Sequence, residues 1–249
     1  MELRQAERKD VNIKIAMQGR AGTGKTYSAL LMAYGITGDW SKIAVIDTES
    51  GSANLYAHLG NYNIIQLDVL SPENYINAID MCEREGIEAI IIDSISHCWE
   101  YLLSCHAQMQ GNSFMNWNRI TPRYNAFIQK IINSNTHIIC TIRTKQDYSL
   151  IEKNGKLIPE KSGQKAIMRD GIDYEFTIVM NIDLNHHVSI TKDRTGIFLS
   201  KPSFTPTIDT GKSIAQWCVS PDNKETVNRS RNIKQFSYGN NATAISIPS

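Results

Sequence analysis

Gly19-Arg20-Ala21-Gly22-Thr23-Gly24-Lys25-Thr26 is the stretch on which the reading of this chain turns. It fills every fixed position of a G-x-x-x-x-G-K-[ST] loop, whose glycines let backbone N–H groups turn inward around phosphate oxygens. The flanks supply the context such a loop requires. Ile13 to Met17 (IKIAM) predicts a strand before it, and Lys25 to Tyr34 (KTYSALLMAY) predicts a helix after it. The loop then opens a helix, so the positive end of the helix dipole adds to the amides. Lys25 is placed to neutralise β and γ oxygens, and the Thr26 hydroxyl to ligate Mg²⁺. The expected ligands are ATP and Mg, in place of a bare glycine-rich turn.

Composition narrows the class without naming a partner. The chain has 249 residues, 41% of them hydrophobic and 20% charged, which suits a globular α/β protein. Lys plus Arg number 26 against 25 for Asp plus Glu, so any nucleic-acid surface must come from local clustering. No apolar run approaches a membrane span, and the opening MELRQAERKD is too polar for a signal peptide. The expectation is a cytoplasmic protein with no membrane partner. Five cysteines with no C-x-x-C pair argue against a disulfide framework. His97-Cys98 and Cys105-His106 fall on a predicted helix, where buried thiols are the commoner reading than zinc ligands. His186-His187 lies in an alternating, strand-like run, where solvent-facing and packing roles outweigh ligation.

In chain order, Lys42 to Ile46 is a short apolar run ending in Asp47-Thr48-Glu49-Ser50-Gly51, the pattern of a buried parallel strand followed by a polar loop. Ligands of open α/β sheets sit beyond such strand ends, which makes Glu49, with Asp47 as the alternative, the candidate acid. Ile64 to Leu67 predicts a further strand. Ser71 as N-cap and Pro72 at the first helical position open a helix to about Glu85. Ile87 to Asp93 is a β-branched strand ending in an acid, the Walker B pattern, with Asp93 expected to hold the Mg²⁺ water shell. A helix from His97 to about Met109 follows. Then come the polar-aromatic loop Gly111 to Arg119, a helix from Pro122 to Ile132 and a strand from Thr136 to Arg143.

From Arg143 to Arg169 there are seven basic residues and three acidic ones, a net +4. Asn154-Gly155 within this stretch predicts a β-hairpin turn. Strands near Phe176–Ile182 and His187–Lys192, a short strand Ile197–Leu199 and a helix near Ser213–Cys218 complete a domain of residues 1–219. Residues 220–249 are Asn/Ser/Thr-rich and read as a flexible polar tail.

Three of these segments carry a family resemblance. Ile46-Asp47-Thr48-Glu49 resembles the strand-end motif of RecA-type ATPases, and Ile91-Ile92-Asp93-Ser94 is similar to their Walker B strand. Thr191 to Gly196 (TKDRTG) resembles the K-x-R-x-G motif of RadA and the DnaB-like helicases. The chain as a whole looks like the phage-encoded, RecA-like ATPases of the Sak group, AAA-family proteins of single-strand annealing and recombination. The resemblance implies a RecA-like α/β fold over about residues 10 to 218: a mostly parallel central sheet flanked by helices, with antiparallel strands toward the C-terminus. It implies Glu49 as the residue that activates water, and Lys192 and Arg194 as fingers reaching a neighbour's γ-phosphate. Partners so implied are further copies of the chain, single-stranded DNA and a phage single-strand binding protein. Where RecA-type proteins place an Asn, Gln or His sensor, this chain offers Thr141 and Arg143.

For DNA, Trp117 and Arg119, beside Phe114, combine a stacking surface with charge, and Arg143, Lys145, Lys161 and Lys165 supply a basic segment. Other readings stay open. Thr144-Lys145-Gln146-Asp147 resembles the [NT]-K-x-D reader of GTPase switches, although no D-x-x-G follows either strand-end acid. A small-molecule kinase would use the basic loop as a lid. A helicase-loader-like, partner-binding module would use nucleotide only to set a conformation.

Overall fold

The computed structural model describes residues 3, 5, 9–153 and 156–219. The strands are β1 (Lys14–Gly19), β2 (Ile43–Asp47), β3 (Asn63–Gln66), β4 (Ala89–Asp93), β5 (His137–Lys153), β6 (Lys156–Ala166), β7 (Ile178–Ile182) and β8 (Val188–Asp193). The helices are α1 (Lys25–Thr37), α2 (Pro72–Arg84), α3 (Ser96–Gln108), α4 (Ser113–Asn133) and α5 (Ile208–Cys218). The strands lie in the order β3-β2-β4-β5-β1-β7-β8, with β6 paired to β5. Pairing is parallel from β3 through to β7, while β5–β6 and β7–β8 are antiparallel.

The period-2 geometry of the strands explains why they read as continuous apolar runs. On β4, Ile90 and Ile92 point into a core with α2, α3 and α4, while Ala89 and Ile91 point into a second core with α1 and α5. β2 divides the same way, Ala44 and Ile46 against Ile43 and Val45. Both faces are covered, so neither can be polar. Each isoleucine so buried stabilises the fold by ~2 kcal/mol. On the second face α1 and α5 touch backbone to backbone. A Cβ on Gly35 would lie 2.1 Å from the Ile208 carbonyl oxygen, and one on Gly211 would lie 2.1 Å from that of Met32.

The structure corrects three expectations. Residues 113–119 are not a loop: α4 runs unbroken from Ser113 to Asn133 with Pro122 in its interior. Asn112 caps it, its side chain accepting from the N–H groups of Phe114 and Met115. Pro122 forgoes one helical hydrogen bond. The stripe Ile120, Tyr124, Phe127, Ile128 and Ile131, all buried in the core, offsets that loss. Ile197–Leu199 is not a strand, because the Asp193 carboxylate accepts from the N–H groups of Thr195, Gly196 and Phe198 and winds the segment into a turn. The last helix starts earlier than expected, at Ile208, after a capping box between Thr207 and Thr210.

The predicted hairpin is an arm. β5 leaves the sheet near Arg143 and continues to Lys153, paired with β6 from Thr144↔Ala166 out to Lys153↔Lys156. At the rise of a strand, Thr144 to Lys153 extends roughly 30 Å. The Asn154-Gly155 turn and the tail at 220–249 lie outside the described residues. Among the described residues no helix is long and apolar enough to cross a membrane.

At the other end of the sheet, the ammonium of Lys14 is buried and donates to the carbonyls of Asn12, Ser134 and Thr136 at 2.7–3.0 Å. Burial pushes its pKa down to about 8. His137 lies beside it, with Nδ1 accepting from the Ile13 N–H at 3.2 Å. Burial, reinforced by the Lys14 charge, pushes the imidazole down to about 4. The folded state thus favours neutral His137, and its contribution is full above pH 6.5 and lost as pH falls toward 4. At ~1.4 kcal/mol per pH unit that contribution is roughly 3 kcal/mol. His137→Asn, whose amide oxygen can accept the same N–H, is expected to flatten the fall in stability over this window, measured by urea unfolding at stepped pH.

Candidate functional site

The loop after β1 is shaped by its glycines and by one carbonyl. Gly22 and Gly24 have φ of +81° and +84°, a left-handed backbone that side-chain-bearing residues rarely adopt. The Arg20 carbonyl accepts from the Thr23 hydroxyl at 2.9 Å and from Lys25 Nζ at 2.9 Å, closing the loop on itself. Lys25 is 9% exposed. Burial lowers its pKa, and the carboxylates of Asp93 and Glu49 oppose that shift. Arg20 and Ala21 lie exposed on the outside of the loop.

Beside Lys25 sits the carboxylate of Asp93, 2% exposed at the end of β4. The Thr26 hydroxyl donates to its Oδ2 at 2.5 Å, and the Thr141 hydroxyl of β5 donates to its Oδ1. The two strand-end acids of β2 have separate tasks. Asp47 is buried and spends both oxygens on backbone, accepting from Glu49 N–H at 2.7 Å and Ala53 N–H at 3.0 Å. Glu49 is exposed and faces a cavity of about 910 Å³ that Lys25, Thr26 and Asp93 also line. Of the two, Glu49 is the acid left available to a ligand.

Two histidines of this cavity escaped the sequence reading. His97 Nδ1 lies 2.7 Å from the Thr48 hydroxyl, and its Nε2 lies 2.8 Å from Arg143 Nη1. A guanidinium only donates, so Nε2 accepts and Nδ1 carries the proton. Thr48 passes the chain on to the Asp93 carbonyl at 2.9 Å. Hydrogen bonds thus run from the base of the arm to the strand end bearing Asp93. His186, expected to face solvent or to pack, lines the cavity from the turn after β7. Neither histidine falls in a motif, and only the fold brings them to the loop.

The nucleic-acid candidates separate. Arg143 turns into the cavity and pairs loosely with Glu100 at 3.8 Å, so it belongs to the loop's site instead. Trp117 is half-buried, its ring stacked 4.2 Å from that of His106 and lying 6.0 Å from that of Trp99. Arg119 is exposed on the same helix, which packs on α2 and α3. Lys145, Lys161 and Lys165 ride the arm, with Lys145 directly across from Lys165. The exposed aromatic beside them is Tyr148, across from Lys161. Thr144 to Asp147 form part of a paired strand. Thr144 lines a second cavity of about 560 Å³, on the side of the loop formed by Gly19, Arg20 and Thr23.

Lys192 and Arg194 sit at the far end of the sheet. Lys192 pairs with Val179, and the Arg194 N–H donates to Thr177, whose own N–H donates to Lys14. Arg194 is thus five residue steps along the sheet from Gly19, roughly 15 Å, while Lys192, level with Ala16, is three steps away, roughly 10 Å. Lys192 Nζ donates to the carbonyls of Asp173 and Tyr174 at 2.9 and 2.7 Å, and Arg194 to that of Tyr174 at 3.3 Å.

These residues fit a nucleotide with a divalent cation. The glycines leave the loop open to anions, and Lys25 supplies charge. Thr26 and Asp93 pair a hydroxyl with a carboxylate, the oxygen donors Mg²⁺ prefers. The Ser52 hydroxyl, buried in the cavity wall, has no protein partner.

The family described as AAA domain matches residues 11–212. No curated protein matches the chain. Among solved structures, it is similar to a KaiC-like protein of the hyperthermophilic archaeon Pyrococcus horikoshii. Identity is 15% over 74% of this chain and 80% of that one, with a TM-score of 0.41. The family match runs from the residues before β1 into α5, taking in the phosphate loop, Glu49, Asp93 and the arm, and the chain therefore belongs to the AAA domain family of P-loop NTPases.

Proposed function

We propose that this protein is a Mg-dependent ATPase of RecA type whose ATP sites are completed between subunits and whose arm binds single-stranded DNA. The observation that carries the reading is Glu49, an exposed carboxylate facing the same cavity as Lys25, Thr26 and Asp93. ATP is the substrate. The loop amides and Lys25 bind and orient its phosphates, and Lys25 leaves the Arg20 carbonyl to do so. Mg²⁺, held by Thr26 and Asp93, would supply a positive charge that steadies the oxygens of the γ-phosphate. Glu49 orients an attacking water and takes up its proton. Asp47 fixes Glu49 by anchoring its backbone.

Arg194 lies roughly 15 Å along the sheet from its own loop, and both Lys192 and Arg194 are tied to carbonyls outside the loop's cavity, which supports the expectation that they serve a neighbouring copy. Such fingers are worth ~10³–10⁵ in rate, so the isolated subunit is a slow enzyme. On the arm, Lys145, Lys161 and Lys165 with the exposed ring of Tyr148 offer charge and a stacking face to single strands. We take its setting to be phage DNA recombination or replication in the host cytoplasm, beside a phage single-strand binding protein, on the resemblance to the Sak-group ATPases. A second reading, a helicase-loader-like module in which nucleotide sets the arm, draws on the hydrogen-bond chain from Arg143 through His97 to Thr48.

Glu49→Gln is expected to lower ATP turnover by at least ~100-fold while nucleotide still binds. Unchanged turnover would sink both the assignment of Glu49 and the hydrolytic mechanism. Two inactive variants, Lys25→Ala and the double variant Lys192→Ala with Arg194→Ala, should regain activity when mixed, because each supplies the half-site that the other lacks. Co-assembly without regained turnover would exclude fingers acting between subunits. Single-stranded oligonucleotides should stimulate turnover. Replacing Lys145, Lys161 and Lys165 with Ala should reduce the log–log salt slope of binding by about 2. An active enzyme deaf to every oligonucleotide at low salt would refute the DNA reading.

A further inference from the structure

β7 and β8 are joined by a tight turn that is held from within. The Asp183 N–H donates to the His187 carbonyl at 2.9 Å, and the His186 N–H to the Asp183 carbonyl at 3.1 Å. The Asp183 side chain accepts from the N–H groups of Asn185 and His187 at 2.8 and 2.9 Å. Within this turn His186 has φ of +64°, in the left-handed region that residues with a Cβ enter at a cost. The turn sustains that conformation, and it presents the imidazole to the phosphate loop. Nδ1 lies 2.9 Å from the Thr23 carbonyl oxygen. That oxygen only accepts, so Nδ1 carries the hydrogen.

This contact controls one peptide plane. In a trans peptide the carbonyl and the following N–H point in opposite directions. Anchoring the Thr23 carbonyl on the β7–β8 turn therefore directs the Gly24 N–H away from the turn, among the unpaired amides that open α1. Gly24 itself has φ of +84°, and a Cβ built on it would lie 3.1 Å from His186 Nδ1, so the imidazole packs directly on this glycine. The loop's internal bonds converge on the Arg20 carbonyl. They leave the Thr23–Gly24 peptide to be fixed from outside.

We propose that His186 is a positioning residue of the phosphate loop: its Nδ1–H holds the Thr23 carbonyl and sets the Gly24 amide in advance for the phosphates of the bound nucleotide. The proposal rests on the reading of the loop as a nucleotide site and goes beyond it by assigning a role to a residue outside every motif. Preorganised amides bind an anion without the loss incurred in ordering them, so the effect is on affinity.

The test is equilibrium binding of a fluorescent ADP to the full chain in three forms: wild type, His186→Gly and His186→Asn. Glycine accepts the backbone of the turn but removes the imidazole. Asparagine adopts the same backbone and places an amide N–H at the same distance from Cβ as Nδ1. Thermal melting without nucleotide reports whether the fold is kept. The glycine variant is expected to bind roughly tenfold more weakly and the asparagine variant to return close to wild type. Glycine binding as tightly as wild type, or asparagine binding as weakly as glycine, overturns the proposal. If the glycine variant melts below the assay temperature, His186→Asp replaces it, being isosteric with asparagine but lacking the N–H. Equal affinity of the aspartate and asparagine variants then refutes the proposal. Failure of the wild type to bind ADP overturns the nucleotide reading itself, and with it any role for His186 there.

Discussion

A carboxylate shut away from water must be answered by donors, and the answer to Asp93 organises this molecule. Its two oxygens take hydroxyl hydrogens from Thr26 on α1 and Thr141 on β5. Three elements far apart in sequence are thereby pinned at one point, the strand ends where the loop opens. Leaving such a charge without partners would cost several kcal/mol, so the arrangement of β4, β5 and α1 is constrained by electrostatics as much as by packing. The same point is where a metal would sit. The Thr26 hydroxyl that satisfies Asp93 is thus available as an oxygen ligand beside it.

Around that point the polar groups fall into two kinds. Asp47 and Thr48 are spent on backbone and hold the β2 loop, while Glu49 and Lys25 remain for a ligand. This division lets the loop be rigid and reactive together. The His97 link extends the rigid part to Arg143, where β5 leaves the core and becomes the arm. Occupancy of the cavity and position of the arm therefore share one set of hydrogen bonds. Lys192 and Arg194 are tied to the carbonyls of Asp173 and Tyr174.

Much of the fold was legible because its signals are local. A strand buried on both faces has to be apolar throughout, so β1, β2 and β4 announced themselves, and Ser71-Pro72 marked α2 by capping chemistry. Residues 113–119 were misread because a proline within a helix is tolerated only when packing offsets its missing hydrogen bond, and packing is not written locally. That His106 and Trp99 pack against the Trp117 ring is likewise set by the pairing of α3 with α4. Ile197–Leu199 has strand propensity, yet one carboxylate, Asp193, outcompetes it for the backbone.

By itself the sequence determined the phosphate loop, the two strand-end acids, the parallel sheet and the charged hairpin. Each follows from residue type at fixed spacing, which fixes backbone geometry over a few residues. Only the tertiary structure decided that Asp47 is consumed by backbone and Glu49 is not, that Arg143 serves the cavity, and that His97 and His186 reach the loop. It also decided that the side chains of Lys192 and Arg194 are tied to Asp173 and Tyr174, outside the cavity of their own loop. Those outcomes depend on strand order and on the direction a side chain takes across 46 to 163 residues of intervening chain. No local propensity encodes such a distance, so it had to come from the folded sheet.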